Sequence, residues 1–189
     1  VAKSPRRNAL ALTVSASLAR VVPAVLSRVR HAFDVGCDPE PIAQQLGALA
    51  KAHPGLRVPG TCDGFELAVR AVIGQQISVA GARTMLGRLA AAFGDDYVAA
   101  DAPAGLTHAF PSARALAART VPELRAVGLT SARTRTLTEL ARLVASGDVA
   151  LSLGADVERT RAALERIPGI GPWTSGYVAM RALGWPDAF

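Results

Sequence analysis

Apolar residues return every three or four positions through most of this chain, the period of a helix that buries one face. Leu18, Val21, Val22, Val25, Leu26, Val29 and Phe33 make one such stripe. Leu137, Leu140, Leu143 and Val144 make another, and Val157, Leu164 and Ile167 a third. Strict alternation occurs at Leu10, Leu12 and Val14, which predicts a half-buried strand over residues 8–15. The pattern therefore predicts an all-α body of roughly nine helices with a single strand at its front. Half of the 189 residues are apolar, enough to fill a substantial core.

Caps and breakers divide this periodic sequence into elements. Asp38 and Pro39 supply an N-cap and first-turn pair for a helix whose apolar face is Ile42, Leu46 and Leu49. HPGLRVPG, residues 53–60, reads as a linker or domain crossing. Asp63 and Glu66 have capping-box spacing ahead of Leu67, Val69 and Val72; Gly74 then interrupts the helix, and Gln75 and Gln76 form a polar elbow before the period resumes. Residues 94–111 are turn-rich. Ser112, and then Thr120 with Pro122 and Glu123, open two short helices, the second ended by Gly128. Longer helices are expected over residues 130–146 and 155–167, and a last one from Trp173 to Leu183. Three parts follow: residues 1–16, residues 17–60 and residues 61–189.

Charge and composition exclude several classes. Twenty-one basic against fifteen acidic side chains leave +6, and Lys3 and Lys51 are the sole lysines. Arginine's planar fork suits phosphate, so a polyanion is the first partner to consider; plain arginine usage in a high-GC bacterium accounts for the same charge. Arginines at 20, 28, 30, 70, 83 and 88 interrupt every stretch that approaches the ~18 apolar residues of a membrane span. Arg6 and Arg7 precede a short apolar stretch, but its alternation favours a strand over an export signal. Cys37 and Cys62 lack the spacing of a disulfide framework or zinc knuckle, which fits a reducing cytoplasm. His31, His53 and His108 have no Ser, Cys or Asp constellation beside them, and Asp95 with Asp96 reads as a solvated turn.

The chemistry is concentrated in LERIPGIGPWTSGYVAMRALG, residues 164–184. Pro168 and Gly169 stop the incoming helix, Ile170 anchors the turn, Gly171 admits a close neighbour, and Pro172 starts the outgoing helix. Free amides at such a helix start, added to the helix dipole, form a site for one phosphate. Thr174 stands where it can add a hydroxyl. An ordinary helix-turn-helix corner has the same outline. The glycine spacing does not fit a dinucleotide fingerprint, and no Lys-Ser/Thr completes a Walker loop. LRAVGLTSAR, earlier in the chain, has a weaker version of this helix, glycine turn, helix pattern.

With FDVGCDP, HPGLRVPGTCDGFELAVRAVIGQQISVAGA, FPSARALAARTVPELRAVGLTSART and finally the hairpin with WTSGYVAMRALGWPDAF in this order, the chain resembles the helix-hairpin-helix DNA glycosylases. Within them it resembles the bacterial 3-methyladenine DNA glycosylase II type. The resemblance spans nearly the whole chain. It implies the helical glycosylase fold, with the strand as the end of an N-terminal β domain and the helix-hairpin-helix at about residues 158–184. It also implies base excision repair: an alkylated purine is flipped out of duplex DNA and its N-glycosidic bond hydrolysed.

The resemblance assigns roles residue by residue. Gly169, Gly171 and Thr174 belong to the DNA-gripping hairpin. Trp173 and Tyr177, one turn apart, line the base pocket, where cationic purines gain from electron-rich rings. Gln75 and Gln76 occupy the place from which a side chain enters the minor groove, with Gln76 where a leucine is more usual. The main-chain carbonyls of Glu165, Ile167 and Ile170 match those that hold a monovalent cation; no other cofactor is implied. Lyase members of the superfamily carry a lysine nucleophile where this chain has Trp173, so a monofunctional hydrolase is expected. The catalytic aspartate is expected just after Phe189; Asp187 is not that residue, and no acid or base is assigned. On this reading the chain is a fragment, inactive alone. Its parent is a monomer of the bacterial cytoplasm, associated with the nucleoid, whose partner is damaged double-stranded DNA and not a membrane. Two alternatives stay open: a helix-hairpin-helix module that binds DNA without chemistry, and a glycosylase of the same fold for oxidised or mismatched bases.

Overall fold

The computed structural model describes residues 1–3, 9–98 and 104–188. Two compact units divide the chain, Val1–Cys62 and Asp63–Phe189. In the first, β1 (Ala2–Lys3) pairs antiparallel with β2 (Leu10–Ala11), Ala2 opposite Ala11 and Lys3 opposite Leu10. The expected strand is thus shortened to two residues, and its start at Asn8 lies outside the described residues. An alternating strand is held by burial of one face, and Leu10 remains 42% exposed. A 3-10 turn over Ala16–Val21 leads into α1 (Val22–Ala32), so the first turn of the Leu18 stripe is wound more tightly than its spacing predicts.

The Asp38 carboxylate accepts the Glu40 N–H at the start of α2 (Pro39–Leu46), as the cap pattern predicts. Gly47 ends that helix, and α3 (Ala48–Lys51) is a separate turn, so Leu49 does not continue the face of Ile42 and Leu46. The Arg57 guanidinium donates to the carbonyls of Asp34, at 2.5 Å, and Cys37, at 2.6 Å, and holds the proline-glycine segment against the turn after α1.

The second unit holds the buried core. Its helices are α4 (Gly64–Gly74), α5 (Val79–Phe93), α6 (Ala113–Ala117), α7 (Val121–Ala126), α8 (Ser131–Ser146), α9 (Val157–Glu165) and α10 (Pro172–Val178), the last running into a π turn over Ala179–Leu183. Val69 and Ile73 of α4, Leu116 of α6, Leu124 of α7, Leu137 and Leu140 of α8 and Leu164 of α9 are fully buried. Each such side chain contributes about 1.5–3 kcal/mol relative to exposure. The caps follow the sequence closely. Ser112 and Thr130 accept amides three residues on, and Thr120 with Glu123 makes a reciprocal capping box. Asp63 caps α4 through the Glu66 N–H, while the Glu66 carboxylate turns to Arg70.

The two glycine corners share one geometry. Gly128 and Gly169 have φ of +100° and +95°, and the following Leu129 and Ile170 are buried. Each glycine takes a left-handed step that lets the next apolar side chain turn into the core. No helix among the described residues is long and apolar enough to cross a membrane.

Candidate nucleic-acid interface

The hairpin between α9 and α10 is anchored from below. Ile167 and Ile170 are 2% and 5% exposed, and the Ile170 N–H donates to the Ile167 carbonyl at 3.0 Å. The Ser175 hydroxyl, fully buried, donates to Glu165 Oε1 at 2.5 Å and so ties α10 back to the end of α9. Thr136 of α8 donates its hydroxyl to the Pro168 carbonyl at 2.6 Å. A Cβ built on Gly169 would lie 2.6 Å from that same hydroxyl oxygen, so this side of the hairpin has no room for a side chain.

The other side is open. Gly171, the N-cap of α10, has ordinary extended backbone at φ −100° and ψ 180°, and a Cβ there meets nothing within 4 Å among the described residues outside its chain neighbours. Pro172 follows in the first turn and contributes no N–H of its own. The free amides of this helix start therefore face an exposed surface, where an anion can approach main chain closely.

Trp173 is 64% exposed beside that surface. Its ring and that of Tyr177 lie 5.5 Å apart and 4° from parallel, so they stack on each other rather than opening a slot between them. The Arg181 guanidinium stands 5.6 Å from the centre of the Tyr177 ring, one further turn along. Tyr177 is half-buried, and of the stacked pair Trp173 presents the exposed ring.

The structure differs from the expectation at Thr174 and Gln75. Thr174 is 4% exposed, and its Oγ1 accepts a hydrogen bond from Gln75 Nε2 at 3.1 Å. Gln75 Nε2 also donates to the Gly169 carbonyl at 3.0 Å. Both side chains are thus directed into the protein. Burial of Thr174 on the inner side of α10 takes it away from the exposed side of the hairpin, and the amide of Gln75 bonds to it there. Of the two glutamines Gln76 is the exposed one, with φ of +54°.

Arg133 of α8 donates to the Gln75 carbonyl, a contact that the sequence reading missed together with those of Thr136, Ser175 and Arg181. Nothing local distinguishes Gln75 from Gln76: in a turn with Gln76 at φ +54° the alternation of a strand does not apply, and the inward course of Gln75 is set by atoms 94 and 99 positions away. Of the three carbonyls considered for a cation, that of Ile167 accepts the Ile170 N–H and keeps one lone pair. Among the described residues no three His, Cys, Asp or Glu side chains cluster to hold a metal ion.

The model of the HhH-GPD superfamily of base excision DNA repair proteins matches residues 69–184, and that of the AlkA N-terminal domain matches residues 1–63. DNA-3-methyladenine glycosylase 2 of Escherichia coli is 37% identical over 183 residues, covering 97% of this chain and 64% of that protein. The probable bifunctional transcriptional activator/DNA repair enzyme AlkA of Mycobacterium tuberculosis is 42% identical over 170 residues, covering 86% of this chain and 33% of that protein. This chain therefore spans less than two thirds of either relative's length. Among solved structures, a Clostridium acetobutylicum 8-oxoguanine glycosylase/lyase bound to double-stranded DNA superimposes with a TM-score of 0.70 at 16% identity, over 93% of this chain and 60% of that one. That likeness is one of fold.

Proposed function

The chain belongs to the HhH-GPD superfamily of base excision DNA repair proteins, and from that membership we propose that it serves hydrolytic excision of alkylated purines from duplex DNA. The observation that carries the proposal is the open side of the hairpin: exposed main chain at Gly171, where a Cβ would meet nothing within 4 Å among the described residues, followed by exposed Pro172 and Trp173. A phosphate beside the lesion accepts from the amides at the start of α10, a contact that reads backbone and not sequence. Gln76 enters the minor groove and fills the space the purine leaves, and it offers hydrogen bonds to the orphaned partner base. The ejected purine stacks on the outward face of Trp173.

Stacking on an indole favours a cationic purine over a neutral one by about 0.5–2 kcal/mol. Damage is then recognised partly by charge, and partly because a damaged pair costs less to open. Trp173 stands where a Schiff-base lysine would be needed for backbone cleavage, and Lys3 and Lys51 belong to the other compact unit. The same fold supports an 8-oxoguanine glycosylase/lyase elsewhere, so fold alone does not choose the base. Similarity to the 3-methyladenine enzyme and the absence of a lysine at position 173 favour hydrolysis of alkylated bases.

The main-chain oxygens of Glu165, Ile167 and Ile170 are hard, neutral donors of the kind that suit a monovalent cation, with one lone pair at Ile167 still available. A cation held there supplies positive charge between the hairpin and a DNA phosphate.

The test is incubation of the intact protein with methylated duplex DNA. Free 3-methyladenine with an unbroken strand is the expected product. Strand incision without an added lyase overturns the hydrolytic assignment. Duplex binding with no base released from methylated, oxidised or mismatched DNA leaves a binding module without chemistry.

A further inference from the structure

We propose that Gln75 is a positioning residue that latches the Gln76 elbow to the inner side of the hairpin, so that phosphate grip and groove insertion move as one body. The inference rests on the reading above and assigns to Gln75 a role that reading does not use.

Three observations carry it. Gln75 Nε2 reaches two atoms of the hairpin, the Gly169 carbonyl at 3.0 Å and Thr174 Oγ1 at 3.1 Å, across 94 and 99 positions of sequence. The Gln75 carbonyl in turn accepts from Arg133 of α8, whose neighbour Thr136 holds the Pro168 carbonyl. A single residue thus joins the elbow, α8 and the hairpin. Finally, Gln76 follows directly with φ of +54°, a left-handed step that a residue other than glycine keeps only where its surroundings impose it.

The two side-chain bonds of Gln75 hold the residue directly before that step. Without them the elbow is free to relax toward extended backbone, which re-aims the exposed Gln76 side chain and leaves the hairpin itself intact. The hairpin has its own anchors in Ile167, Ile170, Thr136 and Ser175. Grip on the duplex and insertion into it are therefore separable, and Gln75 acts on the second through Gln76. Misplacement by about an ångström at an inserting group is enough to cost one to two orders of magnitude in rate.

The experiment uses the intact protein and a duplex with 2-aminopurine beside an alkylated base. Gln75→Met keeps the length of the side chain and removes both amide donors. Affinity for undamaged duplex is expected to stay within about twofold, while the 2-aminopurine signal and single-turnover release each fall about tenfold. Gln76→Ala is expected to cause a similar loss, and the double variant little more than either alone, because both act at one step. Multiplying effects, an unchanged rate in Gln75→Met, or duplex affinity that falls in parallel with excision would each overturn the latch. If Gln75→Met does not fold, Thr174→Val, which removes one of the two acceptors, decides by the same cycle. A wild-type protein that neither binds duplex nor releases base overturns the repair reading and the latch with it, a result distinct from additive losses in an active enzyme.

Discussion

Gly169 and Gly171 stand two residues apart in one hairpin and are glycine for different reasons. Gly169 is held at φ +95°, and the space a Cβ would take is filled by the Thr136 hydroxyl. Gly171 has backbone that any residue adopts and open space where its side chain would be. The first glycine is required by the protein's own packing. Nothing among the described residues requires the second, so the requirement is expected to come from a molecule outside the chain. One flank of the hairpin therefore reports on folding and the other on binding.

Substitutions at the two positions should separate those properties. Gly169→Ala meets a left-handed penalty of about 1–2 kcal/mol together with displacement of the Thr136–Pro168 hydrogen bond. Chemical denaturation should register a loss of about 2–4 kcal/mol for it, the largest effect expected here. A loss below about 0.5 kcal/mol would remove the distinction between the flanks.

Gly171→Asp is the reciprocal case. Asp is a favoured N-cap, and its carboxylate would bond to the amides at the start of α10. Stability should hold or rise by a few tenths of a kcal/mol, while duplex affinity falls about tenfold, near 1.4 kcal/mol, since the amides are taken and a negative charge faces the phosphate. Fluorescence anisotropy beside a denaturation curve measures both. Unchanged affinity would place the DNA elsewhere.

The two flanks also differ in how far the sequence revealed them. The Pro168–Gly169 stop, the Ile170 anchor and the helix start at Pro172 follow from local chemistry, because each depends on residues within a few positions. The caps at Asp38, Ser112 and Thr120 are legible for the same reason. The contacts of Gln75 with Gly169 and Thr174 are not, since a polar residue at an elbow has no periodicity to say which distant atom it will meet. The i, i+4 spacing of Trp173 and Tyr177 predicts that the rings share a face. It does not predict that they cover each other, which depends on side-chain torsions and on Arg181 behind them. Position 47 is a case of local chemistry overlooked, for a glycine in mid-pattern is also a helix stop.

Trp173 sharpens the outer flank further. At 64% exposure its ring contributes little to the core, so Trp173→Ala should leave the denaturation midpoint nearly unchanged. Excision of 3-methyladenine, cationic while joined to its sugar, should slow more than excision of a neutral base such as hypoxanthine, by a ratio of about 2 to 30, the span of a cation held on or removed from an indole. Equal losses on the two bases would mean that stacking area, and not charge, selects the substrate.

The smallest effect is a control placed away from both flanks. Glu123 closes the capping box of α7, and hydrogen bonds from the Thr120 hydroxyl and backbone N–H hold its carboxyl below the ordinary glutamate range, with Arg119 adding to them. A carboxyl depressed in the folded state contributes stability that is present above its unfolded value and lost as pH falls through the folded one. Glu123→Gln should therefore flatten the decline of stability on the acid side of the glutamate range and leave the curve near neutrality almost parallel to wild type. The carboxylate is exposed, so salt should weaken the difference. Duplex affinity per folded molecule should not change. If it does, a mild folding defect at α7 reaches the hairpin, and the loss expected for Gly171→Asp could not be assigned to the binding flank.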